Sequence, residues 1–273
     1  MKKLLIVLIS LTLVFTGCSL FNKPPEKPAT PKTIDVSNVK GPSSVAIAAD
    51  TSGHAATASA MVTSMSGLAT AFSSLSQTPS DWDNGTYNSG TWTWSDGYGL
   101  YTIKWEAVLD GDYYNWAVYI DGNFGNQAYN DFLYMDGRTR TNGHDGHWTI
   151  YDDSITPPYD NNGHYPEFSW KWDINADETE AEWWLYDGAL NDELVLYYHY
   201  TDLGGGDADF IMITEDSYFR VHSEQNGSSG WVKYYETNSP DLNNLVWYVY
   251  WDATGHGGWE EWSGGTKIHE GTW

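Results

Sequence analysis

The chain has 273 residues, a formal net charge of −24 and a pI near 4.3. Beyond Gly41 only seven basic residues face 35 acidic ones, which leaves a charge of about −28 on that part. The negative potential of such a charge repels phosphates and anionic headgroups. We therefore expect no nucleic-acid partner, and we expect that the folded part does not lie on a bilayer surface. The one cysteine, Cys18, excludes an internal disulfide.

The N-terminus has the layout of a secretory signal peptide, with two lysines after Met1 followed by an uncharged apolar run from Leu4 to Phe15. This run is too short to span a bilayer, which takes roughly 20 apolar residues. The following sequence, Phe15-Thr16-Gly17-Cys18, resembles the lipobox of bacterial lipoproteins, although Leu is usual at the position of Phe15.

The lipobox resemblance implies a processed and anchored protein. Residues 1–17 would be the signal peptide, and Cys18 would become the lipidated, palmitate-carrying first residue of an extracytoplasmic protein. Its partner would then be a membrane, contacted through the N-terminal lipid. Ser19 indicates the outer membrane if the source is Gram-negative.

Two segments separate this signal from the rest of the chain. Residues 18–42 are rich in proline and lysine and predict an extended tether. Residues 43–80 place apolar side chains at helical spacing and carry no charge between Asp50 and Asp81, which predicts an amphipathic helix. We expect this helix to cap or plug a barrel or to pack on a sheet, and a poorly ordered spacer is the remaining alternative.

From residue 81 to residue 273 the sequence is typical of strands and turns. Side chains alternate along short aromatic runs, and Asp-Gly, the hairpin dipeptide, recurs between them from Asp96-Gly97 to Asp145-Gly146 and again at Asp187-Gly188. The predicted strands are Thr91–Ser95, Leu100–Asp110, Asn115–Ile120, Asp131–Asp136, His147–Tyr151, Glu167–Ile174, Glu180–Tyr186, Glu193–Tyr200, Asp209–Glu215, Tyr218–Glu224, Trp231–Glu236, Leu245–Asp252, Trp259–Trp262 and Thr266–Gly271.

This pattern predicts an all-β fold, an antiparallel up-and-down meander of about 12 to 14 strands. A flat sheet of this size would expose its edges and a large aromatic surface, so we expect a closed barrel or a strongly curled sheet. The stretch from Asp136-Gly137 through Gly146-His147-Trp148-Thr149-Ile150-Tyr151 resembles one unit of MORN-type hairpin repeats, and it implies a hairpin and nothing about function.

No catalytic motif is present, and carboxylates are so numerous that a pair of them is no evidence for a glycosidase. We therefore expect a protein that is not an enzyme and that has no cofactor. The acidic loop with Asp202, Asp207 and Asp209 is a candidate weak Ca²⁺ site, although it lacks the spacing of a calcium loop. A plain hairpin loop is the simpler interpretation.

The aromatic content, with 16 Trp and 20 Tyr, points to binding. Indole and phenol rings contact sugar C–H surfaces, while nearby carboxylates accept hydrogen bonds from hydroxyls. The candidate ligand-binding residues are Trp183, Trp184, Trp259 and Trp262.

The first hypothesis for the function is a non-enzymatic domain that binds a glycan or an apolar ligand. The second is a structural or protein-interaction envelope lipoprotein without a small ligand, and the third is a hydrolase. The sequence does not indicate an oligomeric state.

Overall fold

The computed structural model describes residues 24–30, 40–75, 79, 82–124, 127–151, 166–201, 207–224 and 228–273. The predicted signal peptide, Cys18, most of the predicted tether and Asp202 lie outside the described residues. In the described part, two helices precede a single β sheet, and no helix is both long and apolar enough to cross a membrane.

The helices are α1 (Ser44–Ala49) and α2 (His54–Leu75), and short 3₁₀ turns follow at Trp82–Asn84 and Leu242–Asn244. Ser43 caps α1, since its hydroxyl accepts a hydrogen bond from the Ala46 N–H. The Asp50 carboxylate accepts hydrogen bonds from the N–H groups of Ser52 and Ala55 and so organises the start of α2.

The sheet contains fifteen strands. They are β1 (Thr86–Asn88), β2 (Thr91–Gly97), β3 (Tyr101–Asp110), β4 (Tyr113–Phe124), β5 (Gln127–Arg140), β6 (Asp145–Tyr151), β7 (Pro166–Ile174), β8 (Glu180–Asp187), β9 (Glu193–Thr201), β10 (Ala208–Thr214), β11 (Ser217–Glu224), β12 (Ser229–Tyr235), β13 (Leu245–Trp251), β14 (Gly257–Ser263) and β15 (Thr266–Thr272).

Each strand pairs antiparallel with the next one in sequence, so the predicted all-β meander is confirmed. The predicted number of strands is too low by one, because β1 is only three residues long and follows a 3₁₀ turn. Ser89 and Gly90, both with positive φ, join it to β2. Among the described residues β1 and β15 are the two edges of the sheet, and hydrogen bonds do not close it into a barrel.

The two faces of the sheet differ sharply. We call the buried one the inner face; it carries large apolar side chains from β2 to β13, including the fully buried Trp170 and Phe210. Buried side chains of α2, namely Ala58, Val62 and Met65, belong to the same apolar cluster. The other, outer face holds the polar half of the alternation, as expected for an antiparallel sheet with one face packed on the core.

The prediction that Asp-Gly marks a hairpin turn is right at Asp110-Gly111 and Asp187-Gly188, where glycines of positive φ lie in the β3–β4 and β8–β9 turns. It is wrong at Asp136-Gly137, which lies inside β5, and at Asp145-Gly146, which opens β6. Asp121-Gly122 likewise lies inside β4, at a bulge.

Tryptophan rings explain why Gly137 and Gly146 are not in turns. Gly137 pairs with Trp148 and Gly146 pairs with Trp172 on the inner face. A Cβ built on Gly137 would lie 2.5 Å from Cε3 of Trp148, and one on Gly146 would lie 2.7 Å from Cη2 of Trp172. The indole rings therefore occupy the space left by the missing side chains, the arrangement known as aromatic rescue.

Part of the predicted tether packs against the domain. In residues 24–30, which we call the strap, the Lys27 ammonium donates a hydrogen bond to the Asp83 carbonyl at 2.8 Å, and Pro28 is buried. The Tyr114 hydroxyl donates to the Glu26 carbonyl. Residues 24–30, which belong to the segment predicted as an extended tether, therefore contact the β domain.

Candidate functional site

A cleft of about 380 Å³ opens on the outer face between β4 and the β8–β9 turn. It combines aromatic, cationic and anionic side chains, which is the composition of a site for a polar ligand. Its walls are formed by Tyr113, Arg138, Asp145, Gly146, His147, Lys171, Trp172, Asp173, Trp184 and Leu190.

Strand register brings four of these side chains together. Arg138 of β5 pairs with His147 of β6, His147 pairs with Lys171 of β7, and Lys171 pairs with Trp184 of β8. Directly opposed residues on antiparallel strands have Cβ atoms about 5 Å apart and point to the same side. The four side chains therefore stand side by side on the outer face.

The cations in the cleft, Arg138 and Lys171, and the neighbouring Arg140 lie over aromatic rings. The guanidinium carbon of Arg138 is 4.2 Å from the centroid of the Tyr113 ring, and that of Arg140 is 5.3 Å from it. The Lys171 ammonium is 4.8 Å from the centroid of the Trp184 ring. These cation–π contacts hold the long side chains in place while leaving their charges available.

The charges of the cleft are unevenly matched. Arg140 forms a short ion pair with Asp145, at 2.5 Å, whereas Arg138 reaches Asp110 only at 3.9 Å. The Arg138 Nε is buried without a hydrogen-bond partner in the described part. Lys171 has no carboxylate within 4 Å among the described residues. Arg138 and Lys171 thus retain capacity for an anionic or hydrogen-bond-accepting ligand.

Burial and neighbouring charges shift the pKa values of titratable side chains at the cleft. Burial lowers the pKa of His147, the nearby Asp136 carboxylate opposes this shift, and the Arg138 charge adds to it. The hydrogen bond from Arg140 to the Tyr113 hydroxyl, followed by the Asp145 charge, raises the pKa of Arg140. At neutral pH the cleft therefore combines a neutral imidazole with permanent cations.

A second cleft, of about 530 Å³, adjoins the first at the end of the strands and shares Tyr113, Asp145 and Asp173 with it. His144 borders this cleft and lies 3.2 Å from Glu178, whereas His147 borders the first. The two histidines therefore face different surroundings. The described residues contain no group of three His, Cys, Asp or Glu side chains suited to a metal ion.

The four candidate tryptophans have different environments. Trp183 is 2% exposed in the core, whereas its neighbour Trp184 lies at the first cleft. Trp259 is on the inner face, where its ring stacks on His54 with centroids 4.6 Å apart. Trp262 donates a hydrogen bond from its indole N–H to Glu260, at 3.1 Å, away from the cleft. Trp184 is thus the one candidate at the cleft.

The proposed calcium ligands are described in part. Asp207 is exposed just before β10. Asp209 lies on the outer face of β10, where its carboxylate is 3.3 Å from both Arg220 and His222. Since Asp202 lies outside the described residues, the calcium site stays a prediction, and the Arg220 guanidinium beside Asp209 competes with a metal ion.

The sequence interpretation missed Tyr113, Arg138 and Lys171. The signal that could have found them is the scarcity of basic residues, because any position that is basic in so acidic a domain stands out. Neither a family model nor a curated protein matches this chain. The candidate site therefore depends on its own geometry and chemistry.

Proposed function

We propose that the protein is a lipid-anchored, extracytoplasmic, non-enzymatic domain that binds a glycan on the outer face of its sheet. The observation that carries this proposal is the first cleft, in which Trp184 and Tyr113 stand beside the incompletely paired cations Arg138 and Lys171 and the carboxylates of Asp145 and Asp173. Ring surfaces contact sugar C–H groups, carboxylates accept hydrogen bonds from hydroxyls, and arginine donates to ring and carboxyl oxygens. The anchor follows from the lipobox resemblance of residues 15–18.

In this proposal the sheet curls around α2, which fills the interior together with the inner-face aromatic side chains. Support comes from Trp170 and Trp183, which are 0% and 2% exposed although one sheet supplies all fifteen strands. Side chains of the outer face line both of the clefts described above. An apolar ligand held inside the sheet therefore has less support than a polar ligand bound outside it.

The alternative, a protein-interaction lipoprotein without a small ligand, is favoured by one observation. Strand β15 forms an edge of the sheet, and its first five residues are exposed. Such an edge offers unpaired N–H and C=O groups to a strand of another protein.

The glycan proposal is tested with the full chain by calorimetric titration against a panel of soluble neutral and acidic glycans. We expect at least one glycan to bind, and Trp184→Ala to weaken it roughly tenfold, equivalent to about 1.4 kcal/mol. Trp262→Ala is the matched control and should leave the affinity unchanged, because Trp262 lies away from the cleft. No binding to any glycan, or equal effects of the two variants, would contradict the proposal.

A further inference from the structure

The cleft continues into a longer row of side chains on the outer face, which we call the cation row. Successive strand pairings from β5 to β12 align its members side by side. Four of the seven basic residues beyond Gly41 stand in this row, and it contains no acidic residue. Its members are Arg138, His147, Lys171, Trp184, Tyr197, Ile211, Arg220 and Lys233.

The far end of the cation row repeats the chemistry of the cleft. The Lys233 ammonium is 4.8 Å from the centroid of the Trp231 ring and 5.1 Å from that of Tyr248. Arg220 approaches Trp231 from the neighbouring strand, at 5.5 Å. Within the described part of the chain, Lys233 has no carboxylate within 4 Å, just as Lys171 has none. Two ammonium groups without a carboxylate partner thus lie in one row, Lys171 at the cleft and Lys233 at the far end.

A second row, which we call the acid row, runs parallel to the cation row. It lies two residues away from the cation row on each strand, always toward the same end of the sheet. Its members are Asp145, Asp173, Glu182, His199, Asp209 and His222. Two residues along a strand correspond to roughly 7 Å. Glu182 already accepts a hydrogen bond from the Tyr197 hydroxyl of the cation row, at 2.7 Å. Carboxylates therefore flank the row of cations along one side.

We infer that the cation row binds an acidic polysaccharide chain laid across the strands. Lys171 and Lys233 contact its anionic groups, and the carboxylates of the acid row accept hydrogen bonds from its hydroxyls. A polysaccharide fits both rows because it carries anionic groups and hydroxyl donors on one chain, whereas the DNA backbone has no free hydroxyls to donate to the acid row. The net negative charge of the domain is largely screened beyond about 8 Å at physiological salt, so Lys171 and Lys233, which have no carboxylate partner within the described residues, still attract single anionic groups. This inference rests on the proposed function, whose cleft forms one end of the row.

The spacing of the two lysines sets the length of the ligand. Five inter-strand steps separate β7 from β12, and at about 4.8 Å per step they span roughly 24 Å. A disaccharide in the cleft cannot reach Lys233. The contribution of Lys233 should therefore appear only with longer chains.

The experiment measures the affinity of the full chain for polygalacturonate, for dextran sulfate and for neutral dextran at physiological salt, where charges beyond about 8 Å are largely screened. We expect one of the two acidic polymers to bind, and the choice between them distinguishes carboxylate from sulfate. Lys171→Gln and Lys233→Gln should each weaken that binding roughly tenfold, since each removes a charge-assisted contact. Lys267→Gln is the control, because Lys267 is already paired with Glu260 and Glu270.

The length dependence gives a second readout. With a galacturonate or sulfated disaccharide, Lys171→Gln should still reduce binding, whereas Lys233→Gln should leave it unchanged. The inference is overturned if neither acidic polymer binds, if dextran or single-stranded DNA binds as tightly, or if Lys233→Gln behaves like Lys267→Gln. When any of these results comes with glycan binding that depends on Trp184, the proposed function stands. If no glycan binds at all, both fail.

Discussion

At the scale of single residues, His147 shows how the cleft tunes a titratable group. It stands on the outer face between Arg138 and Lys171, and burial lowers its pKa despite the nearby Asp136 carboxylate. The folded protein therefore prefers the neutral imidazole. The two permanent cations beside it would oppose a third charge in the same row.

This preference predicts a pH dependence of stability. The folded-state pKa of His147 lies below its unfolded value near 6.5, so the unfolded chain binds more protons once the pH falls below that value. The free energy of unfolding should fall as the pH is lowered from about 7 to 5, and His147→Gln should reduce this fall. Urea unfolding of both proteins at the two pH values measures the difference. If the free energy of unfolding falls equally in the two proteins, His147 is not the group responsible for its pH dependence.

At the scale of strands, the sequence predicted each of β2 to β15, but β4 and β5 are much longer than predicted and several turns were predicted wrongly. Side-chain alternation is local, and it located β7 and β13 to within one residue at each end. The function of an Asp-Gly dipeptide depends on the facing strand, which local patterns do not contain. Gly137 and Gly146 look like turn residues in sequence, but they lie in strands, where the rings of Trp148 and Trp172 occupy the space beside them.

The glycine–tryptophan pairs predict that an added methyl group is costly at Gly137. An alanine Cβ there would meet the His147 carbonyl oxygen and the Trp148 ring, so Gly137→Ala should lower the free energy of unfolding by about 1 to 3 kcal/mol. Gly97→Ala is the matched control, since Gly97 also follows an aspartate in a strand but has open space around it. Its effect should stay within about 0.5 kcal/mol. Chemical denaturation compares the two, and similar losses would refute the packing explanation.

At the scale of the whole molecule, the candidate site could not be predicted from the sequence, because strand register brings its side chains together. Arg138 and Lys233 are far apart in the chain, and they join one row only after seven successive strand pairings. An error of one residue in any pairing would move the following side chains to the other face. Trp183 and Trp184 were both candidates because adjacent residues of a strand point to opposite faces, and the structure shows that Trp183 is the one in the core.

The strap changes how the domain would stand on a membrane. If Cys18 carries the lipid, Pro24 follows it by six positions, a distance of at most roughly 20 Å when extended, against roughly 80 Å for a free tether from residue 18 to residue 42. The strap would therefore hold the end of the sheet near Trp82 and Tyr114 close to the bilayer. Attachment of the strap depends on the Lys27 ammonium, which bonds the carbonyls of Trp82 and Asp83.

Removing that ammonium should release the strap. Lys27→Ala is expected to lower the free energy of unfolding by about 1 kcal/mol, the usual net value of a partly exposed hydrogen bond from a charged donor. It should also speed hydrogen exchange of the amides in residues 24–30. Lys40→Ala is the matched control, because Lys40 lies in the same predicted tether, is exposed, and makes no ion pair within the described residues. Exchange measured by mass spectrometry on the two variants decides the matter: equal protection of residues 24–30 in both would mean that Lys27 does not hold the strap to the sheet.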